Sequence, residues 1–158
     1  WDASKVLDGP FYDEGTTWDS TFGKIASPYE ECRAECSGIY LCLEKDVLQV
    51  FGHSDVVKGQ VHDIIYINWL LMVRAGLMGL EFFTPETKTW RQAHMNARYV
   101  ILRVLLEAAQ GLVKLELINN DTDVLVHLER DLIPTVGKKA IGDFLEKLQV
   151  YKSMGDFE

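Results

Sequence analysis

The stretch SPYEECRAECSGIYLCL, residues 27–43, decides the reading of the fold. Ser27-Pro28-Tyr29-Glu30 fits a capping box, with Ser27 as N-cap, Pro28 in the first helical position and Glu30 in the third. Cys32, Cys36, Ile39, Tyr40 and Leu43 follow at helical spacing and form an apolar stripe. A helix with that stripe packs into a core, yet it carries Glu30, Glu31 and Glu35. Glu30 has a structural reading as the reciprocal acceptor of the capping box. Carboxylates at a helix N-terminus also gain about 0.3–1 kcal/mol from the macrodipole. That explains Glu30 well and Glu31 in part. Glu35 lies one turn beyond Glu31, on the face of Ala34 and Gly38, and this strip of small and acidic residues faces either a cleft or water.

Working outward, residues 1–26 hold Asp, Gly, Thr and aromatics without sustained periodicity and read as mainly loop with short turns. Phe51–Gly59, with Gly52 and Gly59, reads as a turn region. A long helix is predicted over about Val61–Phe83, where Ala75, Gly76 and Gly79 would let another helix approach closely. Its length suits a membrane span, but Asp63, Asn68, Arg74 and Glu81 would each be costly in lipid, so a buried helix is the expectation. Thr84-Pro85 punctuates the chain. Thr89-Trp90-Arg91-Gln92 fits a second capping box and opens a helix that ends at Gly111. Tyr99–Leu106 is apolar nearly all round, which predicts burial of that end.

The period then changes. Val113, Leu115 and Leu117 alternate with Lys114 and Glu116, and Val124, Val126 and Leu128 with Leu125 and His127. With Asn119–Thr122 between them, this is a β-hairpin with a loop longer than two residues. A last amphipathic helix is predicted over about Thr135–Met154, with Ile141, Phe144, Leu145 and Leu148 inward and Gly155 at its end. The fold class is mainly α (α+β), a helical unit with one small β-hairpin.

The chain has 158 residues, 47% apolar and 25% charged, enough for one domain with a real core. Its net charge of -8, without a Lys/Arg run, argues against a nucleic-acid partner. Cys32, Cys36 and Cys42 are an odd number in one short stretch, a poor disulfide framework, and point to a reducing, cytoplasmic setting. Trp1 at the start and GDFE at the end read as limits of an excerpt from a longer chain.

His94 is the histidine of most interest. At 100° per residue, Trp90, Arg91, Arg98, Ile101 and Leu105 lie within about 60° of it, where an Arg-bearing stripe meets an apolar one. A helix offering His and Arg invites pairing with one offering three Glu. The outcome is either a structural salt-bridge network or a site where these groups meet a substrate. Cys32 and Cys36 could bind metal, but without a second pair they read as small core hydrophobes. His53, His62 and His127 sit in turn, helix-start and strand-edge contexts. No Gly-rich phosphate loop, nucleophile elbow or HExxH pair occurs.

YEECRAECSGIYLC (29–42), NWLLMVRAGLMGLEF (68–82) and WRQAHMNARYVILRVLLEA (90–108) resemble the catalytic lobe of the dipeptidyl peptidase III family, zinc peptidases that release dipeptides from the N-termini of short peptides. The resemblance runs from about Thr16 to Asp156. It implies that residues 1–158 are part of that helical lobe and that Glu31 is a zinc ligand. It implies that Glu30 orients a zinc-bound histidine, that His94 stabilises the tetrahedral intermediate, and that Arg98 positions the peptide. Trp18 and Asp19 match a stretch lining the substrate cleft. The family's HELLGH motif, which supplies two zinc histidines and the glutamate that activates water, does not occur between Trp1 and Glu158. A second lobe is missing too. Zinc catalysis needs three protein ligands and an open position, so the chain alone is expected to hold zinc weakly and to be inactive, with two further ligands outside it. The partners expected are a short peptide substrate, no nucleic acid and no membrane, with self-association through exposed apolar faces. The rival readings are a non-catalytic helical interaction module, and a different metallopeptidase using a lone Glu as its third ligand.

Overall fold

The computed structural model describes residues 12–53 and 59–157. Among these residues six α-helices and two short antiparallel strand pairs follow in order: α1 Trp18–Phe22, α2 Ala26–Leu41, α3 Lys45–Val50, α4 Gln60–Met78, β1 Phe83–Thr84, β2 Thr89–Trp90, α5 Ala93–Leu106, β3 Val113–Ile118, β4 Asp123–Leu128 and α6 Lys138–Met154. The mainly α reading with a small hairpin holds, and β1–β2 is a second, smaller pair that the sequence patterning did not announce.

Helix α5 is the centre of the packing, against α2, α4 and α6. Trp69, Val73, Ile101, Leu105 and Ile141 are fully buried, with Cys36 and Ile39 closing the α2 side. Burying one such side chain stabilises by about 1.5–3 kcal/mol, whereas an exposed ion pair gives about 0–1 kcal/mol. The apolar seam therefore sets the helix positions, and the charged residues at its edge are placed by it. The small residues of α4 and of the 3-10 turn Gly79–Phe82 that continues it act as expected. A Cβ on Gly76 would lie 2.6 Å from the Arg98 carbonyl oxygen and 2.6 Å from Leu102 Cβ, and one on Gly79 would lie 2.8 Å from the Met95 carbonyl oxygen. Only glycine lets the two backbones come this close. The stretch Gln60–Phe82 is long and apolar enough to cross a membrane by length and composition. Its Trp69, Met72, Val73 and Gly76 are buried, while Ile67 and Leu71 on another face are exposed.

Several boundaries differ from the sequence expectation. Of the stretch read as mainly loop, residues 1–11 lie outside the described part, but Trp18–Phe22 is helical and Gly23–Ile25 is a 3-10 turn running straight into α2. The real capping box is at Thr17: its hydroxyl accepts from the Ser20 amide at 3.2 Å, and the Ser20 hydroxyl accepts from the Thr17 amide at 2.8 Å. Because the turn feeds α2 directly, Ser27 sits inside the helix and caps nothing. Pro28 stays within the first turn, where its missing N–H costs no helical bond. The second box fails for a similar reason. Thr89 is drawn into the strand pair opposite Thr84, and the Gln92 side chain caps α5 by accepting from the Met95 amide at 2.6 Å. Helix α5 stops at Leu106, and Gly111 ends a separate 3-10 turn, Ala109–Gly111. Helix α3 is too short to show in the patterning; of the turn region expected over Phe51–Gly59, Phe51 and Gly52 form a turn, and residues 54–58 lie outside the described part.

The hairpin registers Val113 with Leu128, Leu115 with Val126 and Leu117 with Val124. Its loop, Asn119–Thr122, turns through positive φ at Asn119, Asn120 and Asp121, residues that tolerate the left-handed region better than most. Val113 and Leu128 anchor its base in the core. Helix α6 ends at Gly155, left-handed with φ 68°, as the glycine position implied.

Candidate functional site

The α2–α5 packing brings two one-turn pairs face to face. Glu31 and Glu35 are four residues apart on α2, and His94 and Arg98 are four apart on α5, so each pair shares a helix face. Glu31 Oε2 lies 3.2 Å from His94 Nδ1, and Glu35 Oε1 lies 3.4 Å from the same nitrogen. Nδ1 is itself shielded from solvent, and neither carboxylate meets it at a hydrogen-bonding angle. The ring is thus wedged between two acids by packing, with Nε2 on the far side of the ring. Arg98 directs Nε and Nη2 at Glu35 Oε1, at 2.8 and 2.7 Å. The Glu35 side chain is only 17% exposed, the most enclosed of the four.

These four residues form one wall of a cleft of about 650 Å3, and Ala34 and Gly38 leave it open along α2. The opposite wall is α4, through Asn68, Leu71, Arg74 and Ala75. The strip of small and acidic residues on α2 therefore faces a cleft. At one end the cleft is ionic; at the other it is apolar, reaching Ile39, Cys42 and Met72.

Of the residues singled out from sequence, Glu31, His94 and Arg98 come together here. Glu30 does not. It lies about 100° round the helix from Glu31, and its oxygens are taken by Arg33 at 3.1 Å and by Lys152 of α6 at 2.6 Å. Burial raises its pKa, but the hydrogen bonds from Arg33 and Lys152 outweigh that and hold the carboxyl below the usual carboxylate value. Trp18 and Asp19 do not line the cleft either. Trp18 stacks on Phe22 with centroids 4.0 Å apart, and Lys152 Nζ sits 5.1 Å from its ring. Asp19 is exposed in the first turn of α1. Lys152 thus ties Trp18 and Glu30 into one structural group beside α6.

The residue with no assigned role that proves central is Glu35. Its signal was available as the coincidence of two i, i+4 pairs of opposite chemistry, Glu31/Glu35 and His94/Arg98. Arg91, placed near His94 by helical geometry, is outside α5 and bonds the Thr84 hydroxyl and the Glu81 carbonyl instead. His127 pairs with Glu116 at 2.8 Å on the outer face of the hairpin. Cys32, Cys36 and Cys42 are free thiols. Cys36 is fully buried, and contact with Cys32 together with burial pushes its thiol pKa up, which suits packing and not metal binding. Among the described residues no group of three His, Cys, Asp or Glu side chains is arranged to hold a metal ion.

Comparison with known proteins adds a family. The profile of "Peptidase family M49" matches residues 4–158. Curated relatives named dipeptidyl peptidase 3 are similar over nearly the whole chain. The protein of Nematostella vectensis is 59% identical over 93% of this chain, that of Homo sapiens 55% identical over 92%, and that of Dictyostelium discoideum 45% identical over 93%. The chain covers 20% of the first two and 21% of the third, so it spans about a fifth of the length of the curated relatives it matches.

Proposed function

The chain belongs to peptidase family M49, and on that premise we propose that it forms part of the active site of a zinc-dependent dipeptidyl peptidase releasing N-terminal dipeptides from short peptides. The observation that carries this reading is the placement of the Glu31 carboxylate 3.2 Å from His94 in an open cleft. A core helix has no structural need for an acid there, because Glu30, and not Glu31, does the cross-helix pairing to α6.

The residues fit zinc in part. Glu31 suits a single carboxylate ligand at the cleft wall. His94 Nδ1 faces two acids, and the cysteines are packed away, so this chain offers one ligand where a catalytic site needs three. The remaining two belong to other parts of the full-length protein, and the chain alone neither holds zinc tightly nor cleaves peptides. When bound, zinc supplies Lewis-acid chemistry and lowers the pKa of water at its open position.

This chain's own residues have three tasks. Glu31 holds its place because α2 is fixed by the buried Cys32, Cys36 and Ile39. His94, its Nδ1 against Glu31 and Glu35, turns Nε2 toward the oxygen that gains charge as a peptide carbonyl is attacked. Arg98 orients the peptide, its guanidinium held in place by Glu35. Glu30, with Arg33 on one oxygen and Lys152 on the other, keeps lone pairs with which to accept from a ligand histidine as well. The three free thiols support a reducing compartment such as the cytosol.

The test is dipeptide release by the full-length protein from a short peptide with a free N-terminus. Wild type is expected to release dipeptides, with kcat reduced about 100-fold or more in His94→Ala. Release of single amino acids, or wild-type turnover by His94→Ala, would overturn the reading.

A further inference from the structure

Two grooves away from the Glu31–His94 cleft adjoin where α2 meets α5. One, of about 380 Å3, is lined by Lys24, Lys88 and Arg91 and by no carboxylate. The other, of about 270 Å3, is apolar, formed chiefly by Cys32, Val100, Phe144 and Leu148. They share Ile25, Pro28 and Asn96, so they lie side by side, one cationic and one apolar.

The charge of the cationic groove is uncompensated. Elsewhere among the described residues Arg98, Arg130, Lys138 and Lys152 each face a carboxylate, and the cations that do not, such as Arg74, Lys114 and Lys147, stand apart from one another in the sequence. Among the described residues Lys24 and Lys88 have no ion-pair partner, and Arg91 bonds only neutral oxygens, the Thr84 hydroxyl and the Glu81 carbonyl. The two lysines come from separate elements, Lys24 from the 3-10 turn before α2 and Lys88 from the β1–β2 turn, and both line the groove. A molecule with net charge -8 thus reverses sign locally in a concave surface. Like-charge repulsion between such groups is relieved only by an anion or by water.

We propose that this pair of grooves is a docking site for an acidic peptide segment of a partner protein, one that carries two or more Asp or Glu residues followed by a bulky apolar side chain. The carboxylates meet Lys24, Lys88 and Arg91, and the apolar side chain enters between Val100 and Leu148. The adjacency of a cationic and an apolar groove favours a peptide over a small anion, which would leave the apolar groove unused. The proposal does not depend on the peptidase reading, because none of these residues lines the Glu31–His94 cleft.

The experiment is fluorescence anisotropy on the full-length protein with a dye-labelled, N-acetylated peptide of that pattern. Acetylation removes the free amino group that a dipeptidyl peptidase site would engage. Saturable binding is expected, about tenfold or more weaker in Lys24→Glu/Lys88→Glu and similarly weaker when Asp and Glu are replaced by Asn and Gln. It should weaken as salt rises, and Val100→Ser should reduce it several-fold. Dipeptide release by these variants is expected at the wild-type level. No saturable binding by wild type, as would follow if another part of the full-length protein covers the grooves, overturns the proposal. So does equal affinity for the charge-reversed protein or for the amide peptide. If wild type binds the peptide but releases no dipeptides, the peptidase reading fails and this one stands.

Discussion

Arg98 and Glu35 meet through a single oxygen: Nε and Nη2 of the guanidinium both lie within 2.8 Å of Glu35 Oε1. The contact spans α5 and α2 and is more enclosed than the surface pairs Arg103–Glu107 and Lys139–Asp143. It also places an acid 3.4 Å from His94. One carboxylate therefore fixes the direction of Arg98 and lies against His94, two side chains that the cleft presents.

A double-mutant cycle with Glu35→Ala and Arg98→Ala should return a coupling of about 1 kcal/mol in urea unfolding of the chain, above that of a wholly exposed pair. In the full-length protein Glu35→Ala should lower kcat/KM for peptide about tenfold or more through loss of Arg98 orientation. Zero coupling, or unchanged kcat/KM, contradicts the orienting role.

Gly76→Ala should destabilise the chain by about 1–3 kcal/mol. The added methyl would meet the Arg98 carbonyl and Leu102 Cβ, neither of which can swing aside. Gly38→Ala is the control: nothing lies within 4 Å of its added methyl, so helix propensity alone applies, with a gain of up to about 1 kcal/mol. Denaturant midpoints check both, and equal effects would mean the α4–α5 approach is looser than described.

Acid should unfold the chain partly through Glu30. Its folded pKa lies below the reference value of 4.5, so between the two values the unfolded state binds more protons and stability rises with pH. The contribution is complete above about 4.5 and is lost as pH falls through the folded pKa. Glu30→Gln should cost about 0.5–1 kcal/mol at neutral pH, allowing for partial exposure. The difference from wild type should fade below the folded pKa. A pH-independent difference would assign the loss to packing.

How far the sequence reached is clear from individual elements. The Cys32/Cys36/Ile39 stripe, the glycines of α4 and the alternation of Val113–Leu117 with Val124–Leu128 each carry a period long enough to be read, and each is where it should be. Caps were less legible because they are decided by neighbours. Ser27 lost its role to the turn at Gly23–Ile25, and Thr89 to the ladder with Thr84. Helix α3 has six residues, too few to show a period. At the site, Glu31 and His94 were found from residue patterns that family resemblance sharpened. Trp18 and Asp19 are tied to a substrate cleft by resemblance alone; in the structure Trp18 packs against Phe22 and Lys152, and Asp19 is exposed. Glu35 and Arg98 were both visible, but their partnership depended on how two helices cross, which no local pattern encodes.

The most direct measurement is zinc content by metal analysis of three purified proteins: the full-length protein, its Glu31→Ala variant, and the 158-residue chain alone. About one zinc per molecule in the first, and little in the other two, is the expected result. Stoichiometric zinc in folded Glu31→Ala would contradict a metal held by the acid that faces His94.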